Sequence, residues 1–371
     1  MSPAGGSPTR GRVGLPDFPW DALAPYGAMA RAHAGGLVDL SVGTPVDPVP
    51  SSIRAALASV SEVPGYPTTH GTPALRAAVV DALARRHGAT GIDPDAVLPT
   101  IGSKELVAWL PGLLGIGPGD VVMIPEVAYP TYEVGALLAG ATVIRADGLT
   151  QVGPALPALI WLNSPSNPSG RVLGADHLRK VVEWARERGT IVVSDECYLA
   201  LGWDSEPVSV LHPEVHSGSL DGILAVHSLS KSANMASYRA GFVTGDPALV
   251  AELLEVRKHA GMIVPRPVQE AMRVALADDQ ALAEQRARYS ARRDILRKAL
   301  QGNGFRIDHS EAGLYLWASR DEDSWRTVDW FAQRGILVAP GAFYGPAGAQ
   351  HVRVALTATD ERVRAAADRL A

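Results

Sequence analysis

From residue 97 to residue 243 the chain repeats one pattern, a short and mostly apolar run followed by a turn and a helix-forming stretch. The runs cover 97–101, 121–124, 142–144, 159–162, 191–193, 223–226 and 241–244. Runs of this length are too short for helices and read as buried strands. Strands alternating with helices constrain the chain to an α/β fold with a mostly parallel seven-stranded sheet between helices. A charged stretch rich in Ala, Leu and Arg then extends from Ala248 to about Leu300, and it predicts long helices broken near Pro265 and Pro267. Strand-like runs at 313–317, 336–339 and 352–356 predict a smaller α/β unit beyond them. A chain of 371 residues suits two linked domains.

Residues with chemical capacity gather just after these strands. The chain has only five lysines, and Lys180, Lys258 and Lys298 lie in charged, helix-like segments where they read as solvated. Lys231 instead follows the 223–226 run, within Ser228-Leu229-Ser230-Lys231-Ser232, with Arg239 eight residues on. A lysine there is either a solvated loop residue or a buried amine able to form a Schiff base with a carbonyl compound. Asp195 closes the 191–193 run, as a turn former or at the carboxyl end of strands where open α/β sheets bind ligands. Asn163-Ser164-Pro165-Ser166-Asn167-Pro168-Ser169-Gly170 forms a rigid loop at another strand end. Gly102-Ser103-Lys104 precedes a helix-like segment. Ser103 is expected to cap it, leaving N–H groups free for an anion. Tyr129 stands before Pro130, as a packing residue or as a ring facing a ligand. Arg353 sits in the alternating 352–356 run, on the solvent face or turned inward against a partner.

Taken together, Ser-x-Ser-Lys-x₇-Arg, Asp195 with Tyr198 and the asparagine-proline loop resemble the pyridoxal-phosphate (PLP) enzymes of the aspartate aminotransferase superfamily, class I/II and fold type I. The resemblance implies that Lys231 binds the PLP aldehyde and then acts as general acid/base. Asp195 pairs with the pyridine nitrogen, and Tyr198 and Asn167 reach the phenolic oxygen. Tyr129 lies over the ring. Gly102, Ser103, Lys104, Ser228, Ser230 and Arg239 form the phosphate site. Arg353 and the backbone at Gly43, with Asn167 close by, receive the substrate α-carboxylate. The loop Gly65-Tyr66-Pro67 crosses to a neighbouring subunit, so that Tyr66 completes the other phosphate site of a homodimer. The family's layout implies a large PLP-binding domain at 49–265 and a small domain built from 13–48 and 266–371.

The stretches 40–48, 65–71 and 101–110 resemble the actinobacterial type of N-succinyldiaminopimelate aminotransferase. That implies N-succinyl-LL-2,6-diaminopimelate and 2-oxoglutarate as substrates, in lysine and diaminopimelate biosynthesis. The distal carboxylates of this donor require further cations, for which Arg31 and Arg266 are candidates. Transaminases for aspartate, aromatic or branched-chain amino acids, a C–S lyase of the same fold and a PLP-binding regulator are the alternatives.

Composition narrows the remaining classes. A net charge of −5 gives no reason to expect a nucleic acid or an anionic membrane as partner. The single cysteine, Cys197, permits no internal disulfide and fits a reducing, cytoplasmic setting. No apolar run has membrane-spanning length. No G-x-G-x-x-G opens a βαβ unit, which disfavours a nicotinamide cofactor, and no metal-ligand spacing occurs. Residues 1–12, rich in Gly, Pro and Ser, are expected to form a disordered leader.

Overall fold

The computed structural model describes residues 14–154 and 156–371, and the leader expected at 1–12 lies outside them. In chain order the elements begin with α1 (Ala24–Arg31), β1 (Val38–Asp39), α2 (Ser51–Ser59), α3 (Pro73–His87), β2 (Val97–Ile101), α4 (Ser103–Leu113), β3 (Val121–Ile124) and α5 (Thr131–Ala139). Next come β4 (Thr142–Arg145), β5 (Leu159–Asn163), α6 (Ala175–Arg186), β6 (Ile191–Asp195), α7 (Pro213–His216), β7 (Ile223–Ser228), β8 (Ala240–Gly245) and α8 (Pro247–Ala260). The chain ends with α9 (Arg266–Ala277), α10 (Asp279–Gly302), β9 (Arg306–Asp308), β10 (Tyr315–Ser319), α11 (Ser324–Ala332), β11 (Ile336–Leu337), β12 (Ala339–Pro340), β13 (His351–Ala355) and α12 (Asp360–Leu370).

Seven strands form the large sheet in the order β2-β8-β7-β6-β5-β3-β4. Only β8 runs against its neighbours. Side-chain alternation places the two faces of this sheet in different cores. Ile160, Leu162, Val192, Ile223 and Ala225 pack with α3, α6 and α9, whereas Leu159, Trp161, Val193, Leu224 and Val226 pack with α4, α5 and α8. Both faces are therefore covered, which explains why the strands read as continuous apolar runs.

The smaller α/β unit holds an antiparallel sheet in the order β12-β13-β10-β9. The N-terminal segment joins it through parallel pairing of β1 with β11. Its core gathers Val38 and Leu40 with Leu314, Leu316, Val354 and Leu356. Helix α9 buries Ala271, Met272, Ala275 and Leu276 in the large-sheet core. The chain leaves that core near Asp278, after α9. The amphipathic pattern of α9 specifies one buried face without specifying which sheet it meets.

Candidate active site

Topology brings the candidate residues to one edge of the large sheet. Asn163, Asp195 and Ser228 are the last residues of β5, β6 and β7, and Gly102-Ser103 follows β2 directly. Because β8 runs the other way, its first residue lies at this same edge, where Ser228 pairs with Gly241 and Ile101 with Ala240. Arg239, immediately before β8, is placed there too. Together these ends border a cavity of about 740 Å³ between the large sheet and the smaller unit. Gly43, Ser103, Lys104, Tyr129, Asn167, Asp195, Tyr198, Ser228, Ser230, Lys231, Arg239 and Arg353 all line it. Tyr66 does not, and its side chain is fully exposed on this chain.

Asp195 is buried and has no basic partner among the described residues. One carboxylate oxygen accepts the Tyr132 hydroxyl at 2.7 Å and the other accepts the Cys197 backbone N–H at 3.1 Å. Burial pushes its pKa above the ordinary aspartate value, against the pull of those hydrogen bonds. A buried carboxylate without a counter-charge is costly unless a cationic group comes to it. The Lys231 ammonium donates to the Gly43 carbonyl at 2.5 Å, and burial lowers its pKa.

Arg353 is enclosed on every side. It donates to Asn167 Oδ1 at 2.9 Å and to the Ser41 carbonyl at 2.6 Å, and its Nε has no partner among the described residues. The guanidinium stands 4.0 Å from the Tyr315 ring centroid and 5.1 Å from that of Tyr344. Tyr315 also meets the Tyr198 hydroxyl at 3.1 Å. A Cβ on Gly43 would overlap the Tyr315 hydroxyl, so only glycine lets that backbone approach.

At the other end of the cavity, the helix start differs from expectation. Gly102, with φ of 73°, is the N-cap of α4, and Ser103 is its first helical residue rather than its cap. Residue 102 is confined to glycine, because the Arg239 guanidinium occupies the space where a Cβ would lie. Arg239 adopts a left-handed backbone (φ 53°) and donates to the Ala236 carbonyl at 2.8 Å. Lys104 is exposed, with its ammonium 5.7 Å from the Phe18 ring centroid. Neither Arg31 nor Arg266 lines the cavity, and Arg266 pairs with Glu270 at 3.5 Å.

Several residues around the cavity escaped the sequence reading. One is Tyr132, whose hydroxyl bonds Asp195. Asn163 organises its loop, donating to the Asp195 carbonyl at 2.9 Å and accepting the Asn167 N–H at 2.7 Å. Leu15, Phe18, Trp20 and Val42 add an apolar wall. Behind the site, buried Glu196 accepts from Ser209 Oγ at 2.7 Å and lies 3.5 Å from His227. The adjacency of Asp195 and Glu196 was the one available signal for this second acid.

Comparison with known proteins bears on what this cavity does. Residues 36–370 match the family model described as aminotransferase class I and II. A probable aminotransferase of Mycobacterium tuberculosis is 66% identical over 372 residues, covering 100% of this chain and 89% of the relative. The 4-dedimethylamino-4-oxo-anhydrotetracycline transaminase of Streptomyces rimosus is 58% identical, with 96% and 99% covered. Among solved structures, a probable N-succinyldiaminopimelate aminotransferase from Thermus thermophilus aligns with a TM-score of 0.85 and 28% identity, over 95% of this chain and 98% of that one.

Proposed function

The chain belongs to the class I and II aminotransferase family, and from that premise we propose that it transfers the amino group of N-succinyl-LL-2,6-diaminopimelate to 2-oxoglutarate, with Lys231 as its cofactor lysine. The family and fold depend on pyridoxal 5'-phosphate. The side chains around the cavity fit that group. Asp195 is a buried carboxylate with no cation beside it among the described residues, Lys231 is a half-buried amine, and Arg239 is a guanidinium set against a glycine at a helix start.

In this reading Lys231 takes the cofactor aldehyde and Asp195 holds the proton on its ring nitrogen. Tyr129 covers the ring, and Tyr198 and Asn167 serve the phenolic oxygen. Ser103, Lys104, Ser228, Ser230 and Arg239 hold the phosphate. Bound there, the cofactor supplies an electron sink for the charge left at the substrate α-carbon when its proton departs. Arg353 grips the substrate α-carboxylate beside Gly43 and so fixes which α-substituent faces Lys231. The Lys231 amine would remove the α-proton and carry it onward as general acid/base. Burial lowers its pKa, the direction a base requires. A homodimer, in which Tyr66 of each protomer serves the site of the other, belongs to the same reading and is supported by the full exposure of Tyr66.

The observation that carries the transaminase assignment is the convergence of Lys231, Asp195 and Arg353 on one cavity. The succinylated donor is supported by the 740 Å³ of space in the cavity. A second reading has a bulky polycyclic substrate. The apolar wall of Leu15, Phe18, Trp20 and Val42 favours it, as does the Streptomyces rimosus relative. A half-reaction followed by cofactor absorbance separates the two. Conversion by N-succinyl-LL-diaminopimelate and glutamate, but not by aspartate or phenylalanine, is expected. Conversion by aromatic donors alone would discard the succinylated substrate and keep the transaminase.

A further inference from the structure

Helix α10 presents one face to two separate loops of the active site. Gln285, Tyr289 and Arg292 are four and three residues apart, the spacing of one helix stripe. Arg292 is buried and holds Asp47 with two bonds, at 2.8 and 2.6 Å, while Gln285 donates to the same carboxylate at 2.8 Å. Arg292 also reaches Asp360, at the start of α12, at 2.7 Å. On the other loop, the fully buried Tyr289 donates its hydroxyl to the Lys231 carbonyl at 3.2 Å. Asn234 closes the set, donating to Gln285 Oε1 at 2.9 Å and to the Pro48 carbonyl at 3.2 Å.

These bonds form a ring. It runs from Lys231 along its loop to Asn234, across α10 to Asp47, back along the chain to Gly43, and from the Gly43 carbonyl to the Lys231 ammonium at 2.5 Å. The lysine and the carbonyl that receives it are thus positioned by the same rigid helix. We propose that Asp47, Tyr289 and Arg292 are positioning residues that set where the Lys231 amine stands relative to the Gly43 loop.

The inference rests on Lys231 being the cofactor lysine. Two-oxygen binding of a carboxylate by a buried guanidinium is charge-assisted and directional, so it resists sliding better than apolar packing does. Ser41 and Gly43 belong to the stretch that Asp47 anchors, and the Ser41 carbonyl accepts from Arg353. The clamp therefore also couples the carboxylate grip to the lysine. The other polar groups around the amine, Tyr315, Cys197, Arg353 and Arg239, are left intact in the variants that test it.

The experiment uses the full-length, cofactor-loaded protein with Tyr289→Phe, Asp47→Asn, Arg292→Ala and Lys231→Ala. It reads the pH midpoint of the bound-cofactor absorbance, the half-reaction rate against apparent donor affinity, and the melting temperature. Tyr289→Phe is expected to move the pH midpoint and to lower the half-reaction rate about fivefold, with donor affinity changed less than twofold. Asp47→Asn is expected to affect rate and donor affinity together. Arg292→Ala leaves Asp47 without its cation and is the variant most exposed to misfolding, so the decision falls on the first two. An unmoved midpoint and rate in both, whether or not melting falls, overturns the clamp while Lys231→Ala still abolishes the lysine-dependent absorbance. If Lys231→Ala retains that absorbance, the cofactor-lysine reading fails and the clamp fails with it.

Discussion

Tyr132 contributes to the site only through another residue. Its ring stacks on Trp161 at 4.8 Å, so the hydroxyl that reaches Asp195 is held by packing as well as by its bond. Tyr132→Phe keeps the packing and removes one hydrogen bond to a charged group, a change of about 1.5–3 kcal/mol. The half-reaction is expected to slow by about ten- to a hundredfold, with donor affinity little changed. A rate within twofold of the parent would show that Asp195 needs no such support. Glu196, on the reverse side, invites a pH test. Burial raises its pKa from 4.5 to about 7, so the folded chain keeps a proton that the unfolded chain releases between those values. Its contribution to stability is therefore full below about pH 4.5 and lost as pH rises through 7. His227 behaves oppositely. Burial, reinforced by His87, lowers its pKa from 6.5 to about 3, giving stability that is present above 6.5 and lost toward pH 3. Glu196→Gln removes the first effect alone. In urea unfolding, the stability difference between parent and variant is expected to change in the parent's disfavour between about pH 5 and about pH 8. A difference independent of pH would contradict the buried-acid assignment.

At the scale of elements, the turn from β2 into α4 carries the tightest constraint in the site. Gly102 has φ of 73° and faces the Arg239 guanidinium, so an added methyl group strains the backbone and displaces the cation together. Gly102→Ala is expected to cost about 1–3 kcal/mol of stability. It is also expected to weaken retention of the phosphorylated cofactor, measured by dialysis and reconstitution; unchanged retention would separate Arg239 from the phosphate role. The same elements show what the sequence discloses. The central strands β5, β6 and β7 were legible because both faces are buried and their residues are mostly apolar in succession. The strand-end residues were legible because loops at carboxyl edges concentrate Asn, Asp, Gly and Pro. Tyr132 was not, because α5 begins at Thr131 and turns its ring 83° from that of Tyr129, three residues earlier. Tyr315 was hidden for a different reason. Alternation in β10 defines two faces, but only the docking of one sheet on the other decides which of them meets the cavity. The return of Leu15, Phe18 and Trp20 to the cavity is a long-range contact with no local pattern to announce it.

For the whole molecule, among the described residues no helix is long and apolar enough to cross a membrane. The exposed Tyr66 carries the test of assembly. Mixed dimers of Lys231→Ala and Tyr66→Phe chains contain one site with both groups if Tyr66 serves the partner, and none if it serves its own chain. Mixing the two variants is therefore expected to restore parental cofactor affinity in a fraction of sites, measured by reconstitution after subunit exchange. No restoration in verified mixed dimers would assign Tyr66 to its own protomer. The arrangement of the large sheet has a further consequence in time. Among the described residues, strand β2, at 97–101, has β8, at 240–245, as its one sheet neighbour. During synthesis it waits for more than a hundred further residues to emerge before its backbone is paired, while β3, β4 and β5 already have one another. The corner that joins Gly102 to Arg239 is thus the last part of the sheet edge to assemble on the ribosome. A nascent chain halted before β8 carries an unpaired apolar strand, the kind of edge on which chains associate wrongly.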